Sequence, residues 1–321
     1  MSKKLGTDQF IEIAKASARI RNIVANTPLR LSKSLSNNDT YVYFKMENLN
    51  PTGSFKLRGA ANKILSMTAA ERKKGVVTAS TGNHGAGVGY MCERTGAKGT
   101  VFGPDTMSQA KYDGMVSYGV DVVKNEGDPI NGEINARKYA EDNQIAFISP
   151  YNDLQIVGGQ GTIGFELFAE VQDLDAVFVS LGGGGLLSGI AISMANLSPK
   201  TKIIAVSPSN SNVMMQSVAA GEVLDLPSEP TLSDGTAGGV ELGTITFEYC
   251  RDYVDEFIEV SENELIEGLR LFIDDTNTIG EGAVGVAVAG YLQQKEKWSG
   301  KKVAIIACGG NISRSVLKEI L

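Results

Sequence analysis

The stretch "DAVFVSLGGGGLLSGIA", Asp175–Ala191, places a strand, a turn and a helix directly after one another. Its first part, Asp175–Leu181, is apolar on both faces, which is typical of a strand covered on both sides in a parallel sheet. Four glycines follow, and a helical pattern begins at Leu186. Consecutive glycines are costly in chain entropy, so they indicate that the backbone approaches a ligand closely. The stretch predicts a ligand beyond the carboxyl end of a strand in an α/β sheet.

The same alternation of strand and helix patterns recurs along the chain, which is typical of an open α/β sheet. Besides Asp175–Leu181, strands are predicted over Thr40–Met46, Gly75–Ser80, Gly99–Gly103, Gly119–Lys124, Ile145–Ser149, Lys202–Pro208 and Lys301–Cys308. Helices between them are predicted over Asn83–Gly96, Thr106–Tyr118, Gly132–Asn143 and Leu186–Asn196. Two more of these strands end in glycine-rich turns, "TGNHG" and "GGN", and these turns are the next places to look for a ligand.

The composition limits the class of protein. The chain has 321 residues, enough for about two domains at ~150 residues each. With 42% hydrophobic and 21% charged residues, it is typical of a globular protein with a large core. A net charge of −7 argues against a nucleic-acid partner, which requires a basic face.

Membrane and metal sites are not expected from this sequence. The first ten residues contain no apolar stretch of the kind that a secretory signal needs, and no run reaches the ~18 apolar residues of a membrane helix. The cysteines Cys92, Cys250 and Cys308 are far apart and lack CxxC spacing, which fits a reducing cytoplasm. The single histidine, His84, excludes a site with several histidine ligands. We therefore expect a cytoplasmic protein without a metal.

The four glycines Gly182–Gly185 are predicted to hold a phosphate at the start of a helix. The dinucleotide pattern GxGxxG fails, because its last position falls on Leu187 or Ser188 and no acidic residue follows about 20 residues later. The nucleotide pattern GK[ST] does not occur either. A single phosphomonoester therefore fits better than a nucleotide, and a tight strand–helix turn without a ligand is the alternative.

The turn "STGNHG", Ser80–Gly85, offers two hydroxyls, an amide and an imidazole at a helix start, a combination that can hold a substrate carboxylate. The alternative is an ordinary helix cap made by Ser80 or Thr81. His84 is interpreted as a structural or orienting residue, since a serine nucleophile of the GxSxG type does not occur.

Lys56 lies in "NPTGSFKLRGAANKIL", Asn50–Leu65, just inside a predicted helix start. The helix dipole disfavours a cation at this position. The same dipole, together with desolvation, lowers the pKa of an amine and keeps it able to attack a carbonyl. Lys56 therefore suits a Schiff base with a phosphorylated aldehyde, and a plain solvated lysine is the alternative.

Taken together, these segments resemble the fold-type II pyridoxal-phosphate enzymes (tryptophan synthase beta-like), specifically the threonine/serine dehydratase and serine racemase group. The matching motifs are "TGSFKLRGA", "STGNHG", "GGGGLLSGIA" and "CGGN", in this order over nearly the whole chain. The resemblance implies two open twisted sheets with helices on both faces. It also implies a large domain of residues 1–52 and 152–321, a small inserted domain of residues 53–151, pyridoxal 5'-phosphate in the cleft between them, and a homodimer.

The resemblance also implies roles for the cofactor site. Lys56 would bind the cofactor and later take the Cα proton of the substrate. Phe55 would pack against the cofactor ring, Asn83 would bond its 3-hydroxyl, and Glu281 would lie near the ring. Cys308 stands opposite the pyridine nitrogen, where many relatives have serine. The cofactor phosphate would be held by the backbone N–H groups of Gly182, Gly183, Gly184, Gly185 and Leu186.

The substrate implied by the resemblance is a small amino acid with a β-hydroxyl group. Its carboxylate would lie among Ser80, Thr81, Gly82 and His84, and Thr81 would be the candidate proton donor on the second face. Cys308 is a weak neutral partner, so the ring stays a mild electron sink that suits elimination. Ser207 and Val213 stand where metal-binding relatives carry acidic residues, so no divalent cation is expected.

The expected activity is therefore that of an ammonia-lyase, a dehydratase that converts a threonine- or serine-type substrate into a 2-oxo acid. Three alternatives stay open at this point. One is a serine or 3-hydroxyaspartate racemase/dehydratase, and another is a dehydratase-like step on a hydroxylated diamino acid, as in hydroxyectoine breakdown. The third is a phosphate-binding module without catalysis.

Overall fold

The computed structural model describes residues 7–24, 26–80, 82–105, 107–126 and 129–321, with the backbone alone at 129–131. The strands are β1 Leu29–Leu31, β2 Tyr41–Lys45, β3 Val76–Ala79, β4 Gly99–Pro104, β5 Asp121–Asn125, β6 Ala146–Phe147, β7 Ala176–Ser180, β8 Lys202–Pro208, β9 Glu256–Val260 and β10 Lys302–Ile306. The helices are α1 Thr7–Ile20, α2 Lys56–Ser66, α3 Ala69–Lys74, α4 Asn83–Thr95, α5 Gln109–Val116, α6 Pro129–Asn143, α7 Leu154–Glu170, α8 Gly185–Leu197, α9 Val213–Ala220, α10 Ile245–Tyr253, α11 Glu262–Thr276, α12 Gly282–Gln293 and α13 Arg314–Ile320.

The larger sheet has the strand order β1-β2-β10-β7-β8-β9. All neighbouring strands in it are parallel except β1, which pairs antiparallel with β2. Every residue of β7 is buried, as the apolar pattern of that segment predicts. The sheet is covered by α8, which packs with α7, and by α12, which packs with α11.

The smaller sheet, β5-β4-β3-β6, is parallel throughout. Side chains of a strand alternate between its two faces. Val76 accordingly joins the apolar cluster that contains Leu57 of α2 and Val88 of α4. Val77 joins a separate cluster with Ala136 of α6. Both faces of this sheet are therefore covered by helices, which confirms the predicted α/β class with two sheets.

The smaller sheet is inserted between the second and third strands, in chain order, of the larger one, because β3–β6 lie between β2 and β7. This is the order that the resemblance implies. The limits of the domains, 1–52 with 152–321 and 53–151, stay a prediction.

Several local expectations were wrong in detail. The strand predicted over Gly119–Lys124 runs from Asp121 to Asn125, and it is an edge strand whose residues are exposed or half-buried. The strand predicted over Ile145–Ser149 shortens to two residues. The helix predicted from Thr106 begins at Gln109, where the Ser108 hydroxyl accepts a bond from the Lys111 N–H, and Thr106 itself lies outside the described residues.

Candidate active site

The loop before Lys56 is held against the end of β10. The N–H of Phe55 donates to the carbonyl of Cys308 at 3.0 Å. One residue earlier, Ser54 forms an isolated antiparallel bridge with Gly309. The structure therefore brings together the lysine motif and the "CGGN" motif, which are far apart in the sequence.

Lys56 is the first residue of α2, as the sequence predicts, and its side chain turns inward. Its Nζ donates to the carbonyl of Pro150 at 2.9 Å and lies 5.2 Å from the centre of the Phe55 ring. Burial lowers the pKa of Lys56 from 10.5 to about 8, although the nearby Glu281 carboxyl opposes this shift. About a tenth of the amine is therefore neutral at pH 7 and able to attack a carbonyl.

The glycine loop lies beside the residue that follows Pro150. A Cβ on Gly183 would come within 2.6 Å of the Tyr151 ring, and one on Gly185 within 3.0 Å of the Tyr151 Cβ. Lys56 and the glycine loop thus contact two consecutive residues, Pro150 and Tyr151. This adjacency places the amine and the predicted phosphate cradle within reach of one small molecule.

The backbone N–H groups of the glycine loop are available as hydrogen-bond donors. In the described part of the chain, no acceptor is bonded to the backbone N–H groups of Gly182, Gly183 and Gly184. Gly184 has a φ of 83°, a conformation that a side chain disfavours, and it caps α8. The loop therefore continues into the free N–H groups of a helix start, which is the arrangement that binds a phosphate.

Asn83, Glu281 and Asn311 form one hydrogen-bonded network. The Nδ2 of Asn83 donates to both carboxylate oxygens of Glu281, at 2.9 and 3.0 Å. Asn311 donates from its side chain to Asn83 Oδ1 at 2.7 Å and from its backbone to Glu281 at 3.2 Å. Burial raises the pKa of Glu281, against the bond from Asn83 that lowers it. The network fixes the Asn83 amide at the start of α4.

His84 is buried, and its Nε2 donates to the carbonyl of Ile148 at 3.0 Å. Burial and the nearby charge of Lys56 lower the pKa of His84 to about 3, so the ring stays neutral at ordinary pH. Its Nδ1 has no partner among the described residues. The single N–H proton of the neutral ring is donated to the Ile148 carbonyl, so the ring anchors the start of α4. A ring with so low a pKa is also a poor base, which favours the interpretation of His84 as an orienting residue.

The other residues of this turn are placed less completely. The Ser80 hydroxyl accepts a bond from the Gly82 N–H at 3.0 Å. Thr81, the predicted second-face donor, lies outside the described residues.

Cys308 lies at the carboxyl end of β10 and is 1% exposed. The Ser180 hydroxyl donates to its sulfur at 3.6 Å. Burial, and next the charge of Glu281, raise the pKa of the Cys308 thiol, so the group is a neutral thiol. An uncharged group is what the resemblance implies at this position, and its role opposite the pyridine nitrogen stays a prediction.

Sequence reasoning missed Tyr151, which forms a wall of the glycine loop. Its hydroxyl accepts a bond from the Glu241 N–H at 2.8 Å, so it also ties the stretch 231–243 to the site. A signal for it existed, because Tyr151 follows the carboxyl end of the predicted strand Ile145–Ser149, but no glycine marks that strand end.

In the described part of the chain, no group of His, Cys, Asp or Glu is placed to hold a metal, and no helix is long and apolar enough to cross a membrane.

Two related proteins and one solved structure are similar to nearly the whole of this chain. L-threonine ammonia-lyase of Thermotoga maritima is 36% identical over 97% of this chain and 77% of its own length. L-threo-3-hydroxyaspartate ammonia-lyase of Saccharomyces cerevisiae is 35% identical over 94% of this chain and 92% of its own. The solved structure of the processed threonine deaminase isoform 2 from Solanum lycopersicum matches with a TM-score of 0.94 and 30% identity, over 99% of this chain and 89% of that one.

The model of a family described as pyridoxal-phosphate dependent enzyme matches residues 20–309. The residues of this site fit that group, since an inward-facing amine of lowered pKa lies next to a loop whose backbone N–H groups have no partner among the described residues. The chain therefore belongs to the family of pyridoxal-phosphate dependent enzymes.

Proposed function

We propose that this protein eliminates water from a β-hydroxy amino acid and then, by hydrolysis with a second water, releases ammonia and a 2-oxo acid. The observation that carries the proposal is the inward-facing Lys56 amine, with its pKa near 8, beside the glycine loop. When bound, pyridoxal phosphate supplies an electron sink for the pair of electrons left at Cα. The ammonia-lyases among the relatives support this class of reaction.

The proposed roles follow the geometry of the site. Lys56 holds the cofactor and then carries the Cα proton, because an amine with a pKa near 8 can both accept and return a proton at neutral pH. Phe55 covers one side of the ring, and Asn83, fixed by Glu281, faces its 3-hydroxyl. The backbone N–H groups of Gly182, Gly183, Gly184, Gly185 and Leu186 hold the phosphate.

The residue expected opposite the pyridine nitrogen suits an elimination reaction. The neutral Cys308 thiol would not stabilise a protonated pyridine nitrogen of the bound cofactor, which would then be a milder electron sink. A milder sink suits β-elimination, because the electron pair of the broken Cα–H bond would form the Cα=Cβ bond while the β-hydroxyl leaves with the C–O pair. The substrate carboxylate is proposed to bind at Ser80, Thr81 and Gly82, with His84 orienting the turn.

Replacing Gly183 with alanine is expected to weaken cofactor binding by about 10-fold or more, since the new Cβ would stand 2.6 Å from the Tyr151 ring and displace the loop's N–H donors. The measurement is the dissociation constant of pyridoxal phosphate, from its absorbance or from equilibrium dialysis. Gly114→Ala is the matched control, because nothing lies within 4 Å of a Cβ there. Equal affinity in both variants would show that this loop does not hold the phosphate.

The activity is tested with the L- and D-forms of serine, threonine and 3-hydroxyaspartate, scored for ammonia, for the oxo acid and for inversion at Cα. We expect ammonia and oxo acid in equal amounts from at least one of them. Borohydride reduction followed by peptide mass analysis should place the cofactor on Lys56. Inversion without ammonia would instead support a racemase, and the absence of a trapped cofactor would support a phosphate-binding module without catalysis.

Two further features are part of the proposal. The three cysteines are unpaired and buried, which fits the reducing environment of a cytoplasm. A homodimer is proposed on the family resemblance. Sedimentation of the cofactor-loaded protein at several concentrations tests it, and a monomer at every concentration would contradict it.

A further inference from the structure

Lys111 of α5 lies over the turn that is proposed to bind the substrate carboxylate. A Cβ on Gly82 would lie 3.6 Å from both the Cδ and the Cε of Lys111. The Nζ pairs with Asp234 at 2.9 Å. The lysine belongs to the smaller sheet's side of the molecule, whereas Asp234 belongs to the glycine-rich stretch 231–243 that precedes α10. The pair therefore spans the site from one side to the other.

This ion pair also lies close to the buried end of the site. Gly235, next to Asp234, is so near Glu281 that a Cβ on it would lie 3.3 Å from the Glu281 Oε1. The charges of Lys111 and Asp234 act on the Glu281 carboxyl in opposite directions. A positive charge thus stands near both the carboxylate turn and the cofactor-side network. With the α-carboxylate at the turn, as proposed, the far end of the same small amino acid would be within reach of this charge.

The pair is built so that it can open. The Asp234 side chain is 71% exposed, whereas that of Lys111 is 24% exposed. Exposed ion pairs contribute little, because water solvates the carboxylate almost as well as the lysine does. A lysine amine is a flexible point charge with three donors, so it can exchange one carboxylate for another without losing its position over Gly82.

We propose that Lys111 determines substrate specificity by binding the distal carboxylate of a dicarboxylic β-hydroxy amino acid, with Asp234 occupying its place when no substrate is bound. This inference rests on the proposed function and names its substrate class. The reaction balances without an oxidant. The Cα proton and the β-hydroxyl leave as water, and a second water then releases ammonium and leaves a 2-oxo dicarboxylate.

The competing assignment is that Asp234 recognises a cationic far end, as in a hydroxylated diamino acid. The exposure of the two side chains argues against this assignment. The Asp234 carboxylate is largely solvated, so pairing with a cation would lower its free energy only a little. A substrate panel that contains 3-hydroxyaspartate, threonine and 3-hydroxy-2,4-diaminobutyrate separates the two assignments by the sign of the far charge.

The test compares Lys111→Met and Asp234→Asn in the cofactor-loaded enzyme. In Lys111→Met, the ratio of kcat/KM for 3-hydroxyaspartate to that for threonine should fall about 10- to 100-fold, as expected for the loss of one charge-assisted hydrogen bond. In Asp234→Asn, the KM for 3-hydroxyaspartate should fall, because the competing carboxylate is gone. Lys98→Met is the matched control, since Lys98 is exposed and directly precedes β4 of the smaller sheet.

Binding without turnover gives an independent readout. Calorimetry with L-malate, which has the two carboxylates but no amine, should show weaker binding to Lys111→Met than to the wild type, and 3-hydroxybutyrate should show no such difference. An equal loss of kcat/KM for all substrates in both variants would mean that the ion pair only holds the two sides of the molecule together. This result would overturn the inference. A wild type that prefers the diamino acid would also overturn it. If no substrate yields ammonia, the proposed function fails instead.

Discussion

Replacing Lys56 with alanine is expected to lower ammonia formation about 1,000-fold or more, because one amine both attaches the cofactor and moves the Cα proton. The measurement is kcat/KM for ammonia release under saturating pyridoxal phosphate. Lys56→Arg should be equally inactive, since it keeps the positive charge but remains protonated and cannot attack a carbonyl. Lys63→Ala, on the same helix and paired with Asp153, is the control that should keep most of the activity.

The pH dependence of cofactor uptake tests the same amine. With a pKa of about 8, the neutral fraction of Lys56 rises about tenfold per pH unit below that value and levels off above it. The rate of attachment, followed by absorbance between about pH 6 and 9.5, should follow this curve in the wild type. A midpoint near the ordinary lysine value of 10.5 would show that the amine is solvated, which was the alternative interpretation of the sequence.

The parts of the site that the sequence predicts are those encoded locally. A buried strand followed by Gly182–Gly185 is a continuous signal, and the structure forms a strand, a loop with free donors and a helix there. The lysine at a helix start is local as well. Its lowered pKa follows mainly from burial, which the sequence analysis expects together with the helix dipole, but the residues that bury the amine are distant in the sequence.

The parts that the sequence does not supply depend on tertiary contacts. Nothing near Asn83 shows that its amide is held by Glu281, 198 positions away. The pairing of Lys111 with Asp234 has the same long-range origin. The strand β9, "EFIEV", was missed because its charged residues break the apolar pattern, which an edge strand tolerates.

A second cluster near Lys56 is ionic and buried, and it holds the start of α2 in place. The Arg58 guanidinium bonds Glu47 at 2.7 and 2.8 Å and Glu166 at 2.6 and 3.0 Å. The Lys45 amine, in turn, pairs with Glu166 at 2.7 Å. The side chains of Arg58 and Glu47 are 1% and 0% exposed. Burial raises the pKa of Glu47, but the charge and hydrogen bonds of Arg58, together with the Thr27 hydroxyl and the charge of Lys45, outweigh burial, and the net pKa lies below 4.5.

Replacing Arg58 with methionine is expected to lower the free energy of unfolding by about 3–5 kcal/mol, because it leaves the Glu47 carboxylate buried without its partner. The measurement is urea unfolding of the cofactor-free protein at pH 7. Arg251→Met is the matched control, since Arg251 pairs with Asp252 at the surface, and we expect no measurable shift of its urea midpoint.

The pH dependence of that loss distinguishes an unpaired charge from lost packing. In the wild type, the stabilisation from Glu47 is present above about pH 4.5 and is lost as the pH falls through its lowered pKa. Without Arg58, burial raises the pKa of Glu47, so the variant gains relative stability as the carboxylate is protonated. The difference between the two proteins should therefore shrink from pH 7 toward pH 4.5. In the double variant Glu47→Gln/Arg58→Met the buried charge is removed, and it should be more stable at pH 7 than Arg58→Met alone. A double variant that loses the sum of both single effects would show that packing, and not the unpaired carboxylate, accounts for the cost.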